Sequence, residues 1–248
     1  MRRIFVKSVL EDSLTITGED AHHLGRVMRA KVGDHIVVAD DIGQVGEYAI
    51  QGFTENTITM SLVTRLEENT ESPLKLTLIQ CLPKGDKMDL IVQKATELGV
   101  NRIIPVASAN CVVRYDNKKA VARQAKWQKI ANEAGKQCGR SQLPEVAPIG
   151  NLKDLLVAIQ QEKTSGICMC YENEEQQGIK NYLQSQQGAQ HLQVIIGPEG
   201  GFSLEEADLA QAAGVTAVSL GTRILRAETA AIAAMTVMQY ENGDLGGR

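Results

Sequence analysis

Two apolar strands, each running straight into a glycine-bearing loop and then a helix, constrain this chain more than any other feature. Val194-Ile195-Ile196 leads into Gly197-Pro198-Glu199-Gly200-Gly201-Phe202, and the strand from Val215 to Leu220 leads into Gly221-Thr222-Arg223-Ile224-Leu225-Arg226. Loops of this kind, at the carboxyl ends of strands, are where open α/β sheets bind ligands. Pro198 removes an N–H and Glu199 repels anions, so the first loop is a poor phosphate cradle and suits a neutral or cationic ligand better. Gly197 and Gly221 let the backbone turn sharply and approach a ligand closely. Freed backbone groups there can read the edge of an adenine, with Leu220, Ile224 and Leu225 as apolar walls; the alternative is that the glycines only make tight turns. Arg226 can stabilise an anion, while Glu228 complements the dipole of the helix it opens, and a purely structural cap accounts for Glu228 equally well.

Upstream, alternation of strand and helix from Leu74 onward predicts a largely parallel sheet with helices on both faces. Strands are expected at Leu76–Ile79, Ile103–Val106 and Ile167–Tyr171. Helices are expected from Met88 to Leu98, stopped by Gly99, from Lys118 to Cys138, from Leu152 to Ile159 and from Ile179 to Leu183. Trp127, Ile130, Ala131, Ala134 and Cys138 form the inward face of the long one. Ser203-Leu204-Glu205-Glu206 has the form of a capping box, and Gly214 ends the helix it starts. The alanine-rich helix from Glu228 to Tyr240 is expected to be buried against the loops, a second subunit, or both.

Residues 3–66 differ in period. Ile4–Val6, Leu14–Ile16, Ile36–Val38, Tyr48–Ile50 and Thr57–Leu62 read as short strands, interrupted by one helix from Glu19 to Arg29. Its inner face carries Leu24, Val27 and Met28, and its outer face His22, His23, Arg26 and Arg29. A small β-barrel with one basic helix is a frequent nucleic-acid-binding shape, although the histidines also fit a solvated helix start. The acidic, Pro-ended stretch within 66–73 is the expected linker, which gives domains at 1–66 and 74–248.

The formal net charge of −4 argues mildly against a nucleic-acid partner, but its distribution argues the other way. Between Arg114 and Arg140 eight Lys or Arg, Lys126 and Lys129 among them, face only Asp116 and Glu133. Such density in a net-acidic chain points to a phosphate-binding surface rather than a solvated helix face. Five scattered cysteines read as reduced thiols in a cytoplasmic protein, with Cys168-Met169-Cys170 in a strand rather than a metal site. The apolar run at 4–6 is too short for a signal peptide, and no later run is long enough to span a membrane. P-loop, dinucleotide, zinc-protease and nucleophile-elbow motifs are absent.

The two loops, taken with Arg3-Ile4-Phe5-Val6, His22-His23-Leu24-Gly25-Arg26-Val27-Met28-Arg29, Trp127-Gln128-Lys129-Ile130 and Gln137-Cys138-Gly139-Arg140, resemble the RsmE-type methyltransferases over nearly the whole chain. Members of that family modify a uridine at N3 in small-subunit (16S) ribosomal RNA. The resemblance implies an RNA-binding PUA-like β-barrel, then a SPOUT-type α/β domain with a C-terminal trefoil knot, and a homodimer without a metal. It implies S-adenosyl-L-methionine in the knot, with Tyr171, Ile196, Gly197, Pro198, Gly200, Leu220, Gly221, Ile224 and Leu225 as cofactor-binding candidates. Arg3, His22, His23, Arg26 and Arg29, with Lys126 and Lys129, become the RNA-binding candidates. Where the family often carries an acidic residue and then Arg, this chain has Ala109-Asn110 before Cys111.

Uracil N3 bears a proton and is a poor nucleophile while neutral, so methyl transfer needs that proton removed or the charge developing on O2 and O4 stabilised. Arg226 and Arg140 are the candidates for stabilisation, and Glu199 or water for the base. The rival class is a non-catalytic RNA-binding dimer, separated from the enzyme by whether S-adenosylhomocysteine binds.

Overall fold

The computed structural model describes residues 3–6, 8–40, 42–67, 70–162 and 166–247. Met1, Arg2 and Lys7 of the N-terminal stretch and Glu68 and Asn69 of the expected linker lie outside the described residues. The chain forms two compact units, residues 1–71 with 135–143, and residues 72–134 with 144–248. Each is built around its own sheet.

The first unit holds a five-stranded sheet: β1 (Arg3–Phe5), β2 (Ser13–Thr17), β3 (His35–Ala39), β4 (Val45–Phe53) and β5 (Thr57–Leu66), in the order β1-β3-β4-β5-β2. Alternation puts Leu14 and Ile16 of β2, and Ile58 and Met60 of β5, into one core with Tyr48 and Leu24. The β4–β5 register shifts at Glu47/Tyr48 and at Ile50/Gly52, and bulges of this kind bend strands and increase twist. Among the described residues no β1–β2 pairing closes the sheet, so the expected barrel is a curled sheet.

The helix expected over 19–29 is shorter than its apolar spacing indicates. It comprises α1 (Gly18–His22) and a π-helical turn (His23–Val27). Ala30 N–H then donates to Leu24 O, a six-residue closure that forces Arg29 to φ 51° and ends the helix before it. Leu24 and Met28 face the core as expected.

The second unit holds an all-parallel sheet. Its main strands are β6 (Lys75–Cys81), β7 (Arg102–Ala107), β10 (Ile167–Cys170), β11 (His191–Ile196) and β12 (Thr216–Val218), in the order β12-β10-β11-β6-β7. Two two-residue strands, β8 (Glu145–Val146) and β9 (Gly150–Asn151), pair with β7 and are too short to leave a periodic signal. The central strand β11 is buried at every position after His191, with Leu192 and Val194–Ile196 apolar, as suits a strand covered on both faces. Helices α2 (Lys87–Glu97), α3 (Asn117–Cys138), α4 (Leu152–Glu162), α5 (Ile179–Ser185), α6 (Leu204–Ala212) and α7 (Ala227–Asn242) flank it. The small residues of α7 allow close packing against α2, with Ala231, Ala234, Met235 and Met238 fully buried.

The end of α3 departs from expectation. Trp127, Ala131 and Ala134 face the core and Ile130 packs against it, but Cys138 is exposed, and residues 135–143 belong to the first unit. A buried ion pair fixes them there. Glu71, from the expected linker, accepts from Arg140 Nε at 3.1 Å and from Arg140 Nη2. It also accepts from the backbone N–H groups of Ser141 and Gln142, each at 3.0 Å. Arg3 donates to the carbonyls of Gly139 and Arg140. With Arg140 5% and Glu71 11% exposed at the side chain, removing the carboxylate strands a buried guanidinium. Glu71→Ala is therefore expected to cost about 3 kcal/mol of stability, read as a lower urea midpoint for the first unit; an unchanged midpoint would show that the clamp contributes nothing.

Candidate active-site crevice

The carboxyl ends of β10, β11 and β12 open into a crevice of about 380 Å³. Three chain segments build it: Cys170-Tyr171-Glu172 after β10, the loop 196–201 after β11, and the loop 219–227 after β12. Ile196, Leu220, Leu225 and Ala230 supply apolar lining, and Tyr171 stands edge-to-face on Phe202 with centroids 6.4 Å apart. Cys170 lines the crevice as a neutral thiol, its pKa pushed up to about 12 by burial.

The first loop is locked from behind. Asn110 Nδ2 donates to the carbonyls of Gly200 at 3.0 Å and Gly201 at 3.3 Å. A Cβ on Gly200 would stand 3.0 Å from Asn110 Cβ and 3.2 Å from its carbonyl oxygen, a contact tight enough that the loop or Asn110 would have to shift. Asn110, where a basic residue was the family expectation, thus serves as a loop clip. The capping box of α6 reinforces it: Ser203 Oγ accepts from Glu206 N, and Glu206 accepts from Ser203 N. The other oxygen of Glu206 accepts from Ala109 N at 2.7 Å, tying the turn that bears Asn110 to the same helix. In the second loop Gly221 sits at φ 119°, a conformation closed to side-chain-bearing residues, with its N–H on Ser219 Oγ at 3.2 Å.

Glu199 does not stand free in the loop. Lys87 Nζ, from the first turn of α2, contacts its Oε1 at 2.6 Å, and Lys84 N–H donates to both oxygens at 3.1 and 3.2 Å. The loop itself holds no lysine; the partner comes from the start of α2, the helix that follows β6. Burial alone would raise the pKa of Glu199, but Lys87 and the backbone N–H donors outweigh it and hold the carboxyl below its ordinary range. A carboxylate so held is a poor proton acceptor, which argues against Glu199 as general base. Lys87 also lies 3.6 Å from Glu228 Oε2. Glu228, the first-turn acid of α7, thus faces a specific cation as well as the helix dipole.

Of the sequence candidates, Tyr171, Ile196, Gly197, Pro198, Glu199, Leu220, Gly221, Ile224, Leu225 and Arg226 line this one crevice. Gly200 does not line it and packs against Asn110 instead. Arg140 is not among the lining residues; it belongs to the first unit, where Glu71 engages it. Arg226, the N-cap residue of α7, is exposed, and its guanidinium has no ion-pair partner among the described residues. Lys87, Glu172 and Arg223 line the crevice without having been among its expected residues, Lys87 having been read only as one of the second domain's basic residues. The available signal for Lys87 was the Gly-bearing Lys84-Gly85-Asp86-Lys87 run, another loop at a strand end.

Among the RNA-binding candidates, His22, Arg26 and Arg29 are exposed in the first unit, while the His23 side chain lies outside what is described. Arg3 is engaged by the carbonyls of Gly139 and Arg140. In the second unit Lys129 is exposed, and Lys126 is paired with Asp89 at 2.5 Å, the carboxylate that also accepts from Trp127 Nε1. No group of three or more His, Cys, Asp or Glu among the described residues is arranged to hold a metal.

A family model described as an RNA methyltransferase domain matches residues 70–239, and one described as an RNA methyltransferase PUA domain matches residues 16–62. Ribosomal RNA small subunit methyltransferase E of Bacillus subtilis (strain 168) is 35% identical over 257 residues, covering 100% of this chain and 99% of that protein. The crystal structure of the protein of that name from Neisseria gonorrhoeae, bound to S-adenosyl methionine, is 32% identical with a TM-score of 0.86, covering 98% of this chain and 99% of that one. A Legionella pneumophila putative methyltransferase solved with the same cofactor is 32% identical with a TM-score of 0.87, covering 98% of each chain.

Two outcomes follow from the crevice geometry. Gly200→Ala, forced against Asn110, is expected to lower stability by about 1–3 kcal/mol; a variant as stable as wild type by thermal melting would show that the loop can give way. Because its folded pKa is depressed, Glu199 stabilises the fold above its unfolded pKa, and that contribution is lost as pH falls through the folded value. Carboxylate titration by NMR should place Glu199 below the ordinary range and should move it upward in Lys87→Met.

Proposed function

This chain belongs to the ribosomal RNA small subunit methyltransferase E family, and from that premise we propose that it transfers the methyl group of S-adenosyl-L-methionine to N3 of a uridine in 16S ribosomal RNA. The observation that carries the proposal is the crevice itself: two strand-end loops and the post-β10 segment converge on one partly apolar cavity, within the size range of small-molecule sites. The relatives solved with S-adenosylmethionine share the fold over nearly the whole chain. Ile196, Leu220, Leu225 and Tyr171 fit the faces of an adenosine, and the backbone around Gly197 and Gly221 fits its edge. When bound, the cofactor supplies an electrophilic methyl group.

The chain's own groups do the rest. Arg226, exposed at the crevice and without a competing carboxylate among the described residues, is placed to offset negative charge on the uracil O2 or O4 as N3 becomes nucleophilic. Since Glu199 is held as a weak base, the N3 proton leaves to water, which reaches the crevice past the exposed 221–224 segment. The base must be unpaired or flipped out, because N3 is a pairing position. Lys129 and the neighbouring cations of α3, with His22, Arg26 and Arg29, contact the RNA backbone. A trefoil knot towards the C-terminal end of the second unit and docking of a second copy against α7, where Val237 and Tyr240 are exposed, complete the proposal. The site of action is the bacterial cytoplasm, where ribosomal subunits are made. No helix among the described residues is long and apolar enough to cross a membrane.

Incubation of the protein and S-adenosylmethionine with small subunits or 16S rRNA from cells lacking it, followed by nucleoside mass spectrometry, should yield 3-methyluridine; a methylated product at another atom or no product would overturn the assignment. Arg226→Ala is expected to lower kcat about 10²–10³-fold with S-adenosylhomocysteine affinity nearly unchanged. A loss of cofactor affinity with normal turnover at saturation would assign Arg226 to binding instead. Lys126→Ala with Lys129→Ala should weaken RNA binding and flatten its salt dependence, Lys129 contributing the larger part because Asp89 already engages Lys126; an unaltered slope would return both to a solvated face.

A further inference from the structure

We infer that Lys87, Glu199 and Glu228 form a charge cluster that distinguishes the positively charged methyl donor from its neutral product. The inference rests on the crevice being the S-adenosylmethionine site. Three elements far apart in sequence meet in the cluster: the start of α2, the loop after β11 and the start of α7. Lys87 Nζ lies 2.6 Å from Glu199 Oε1 and 3.6 Å from Glu228 Oε2. One ammonium thus faces two carboxylates, leaving a formal charge of −1.

The excess negative charge has a location. Glu199 is satisfied by Lys87 and by the Lys84 N–H. Glu228 Oε2 is buried and accepts no hydrogen bond from any described residue. Lys87 is closer to Glu199 than to Glu228, so the excess negative charge lies towards Glu228, beside the lysine that forms part of the crevice wall. With side chains 27, 24 and 18% exposed, Lys87, Glu199 and Glu228 are partly hydrated, so their field is screened less than that of fully exposed groups. The other charged lining residues, Glu172, Arg223 and Arg226, are exposed, and water and salt screen them more.

Methyl transfer changes the ligand's charge. The sulfonium carries one positive charge before the reaction, and the thioether left afterwards carries none, its electron pair having stayed on sulfur as the carbon–sulfur bond breaks. A cluster with a net negative charge favours the first form and loses that attraction when the product appears, so the same side chains aid donor binding and product release. A purely mechanical clasp between α2, the loop and α7 would hold both forms equally.

The test is calorimetric titration of the full-length protein with S-adenosylmethionine, sinefungin (an amine cation in place of the sulfonium) and S-adenosylhomocysteine. Glu228→Gln, which is isosteric, is expected to weaken the two cationic ligands about three- to tenfold while S-adenosylhomocysteine stays within about twofold. Lys87→Met, or Lys87→Gln if that variant does not fold, makes the cluster more negative and should shift the cation-to-neutral affinity ratio the opposite way. Added salt should shrink the wild-type ratio. A ratio that neither variant moves, or equal weakening of all three ligands, would reduce the cluster to a structural clasp and overturn the inference. Failure of the wild-type protein to bind any of the three would instead overturn the reading of the crevice itself.

Discussion

The parallel pairing of β11 between β10 and β6 is the interaction on which the rest of the second unit depends. Register fixes Ile196 opposite Cys170 on one side and opposite Gln80 on the other. Each of those residues ends its strand or nearly so, and a loop departs within a residue or two. Three loops therefore leave the sheet side by side: 197–202, the segment after Cys170, and the turn that carries Lys84 and Lys87. The buried apolar runs that make this pairing favourable also leave the strand ends as the place where backbone and charged groups can gather.

What gathers there is a set of clasps that hold glycine-rich backbone still. Asn110 secures the Gly200 and Gly201 carbonyls, Glu206 secures the turn bearing Asn110, and Lys87 joins Glu199 to α7. Glycines allow the close approach a ligand needs but contribute no side-chain packing, so a loop of this composition is ordered mainly by such polar contacts. Glu199 illustrates the consequence. The residue that makes the first loop unlike a phosphate cradle is engaged by Lys87 and the Lys84 N–H, which hold its carboxyl below the ordinary range against the opposing effect of burial. Arg226, at the same edge, has no ion-pair partner among the described residues.

Legibility from sequence followed the distance over which each feature acts. The Ser203–Glu206 capping box, the Gly99 and Gly214 helix stops, and the apolar strands 76–79, 103–106 and 194–196 arise from contacts within a few residues, and all were readable. The π turn at 23–27 was not, because apolar spacing at Leu24 and Met28 fits an α-helix equally well and the left-handed Arg29 leaves no composition signal. Cys138 looked like core because the period of α3 continues to it. The Glu71 clamp instead draws residues 135–143 into the other unit, where that face meets solvent.

By itself the sequence determined the class of fold, the two strand-loop-helix units and most residues that line the crevice, since periodicity and the chemistry of Gly, Pro and capping residues act locally. Only the tertiary structure decided the partners of the charged groups. Glu199 and Lys87 are 112 residues apart and Arg140 and Glu71 are 69 apart. Nothing local to either member specifies the other: such pairs form because strand order brings separate loops to one edge, or because a helix end is captured by another unit. For that reason the two glycine loops and their place at strand ends could be read in advance, while the partners of Glu199, Arg140 and Glu228 could not.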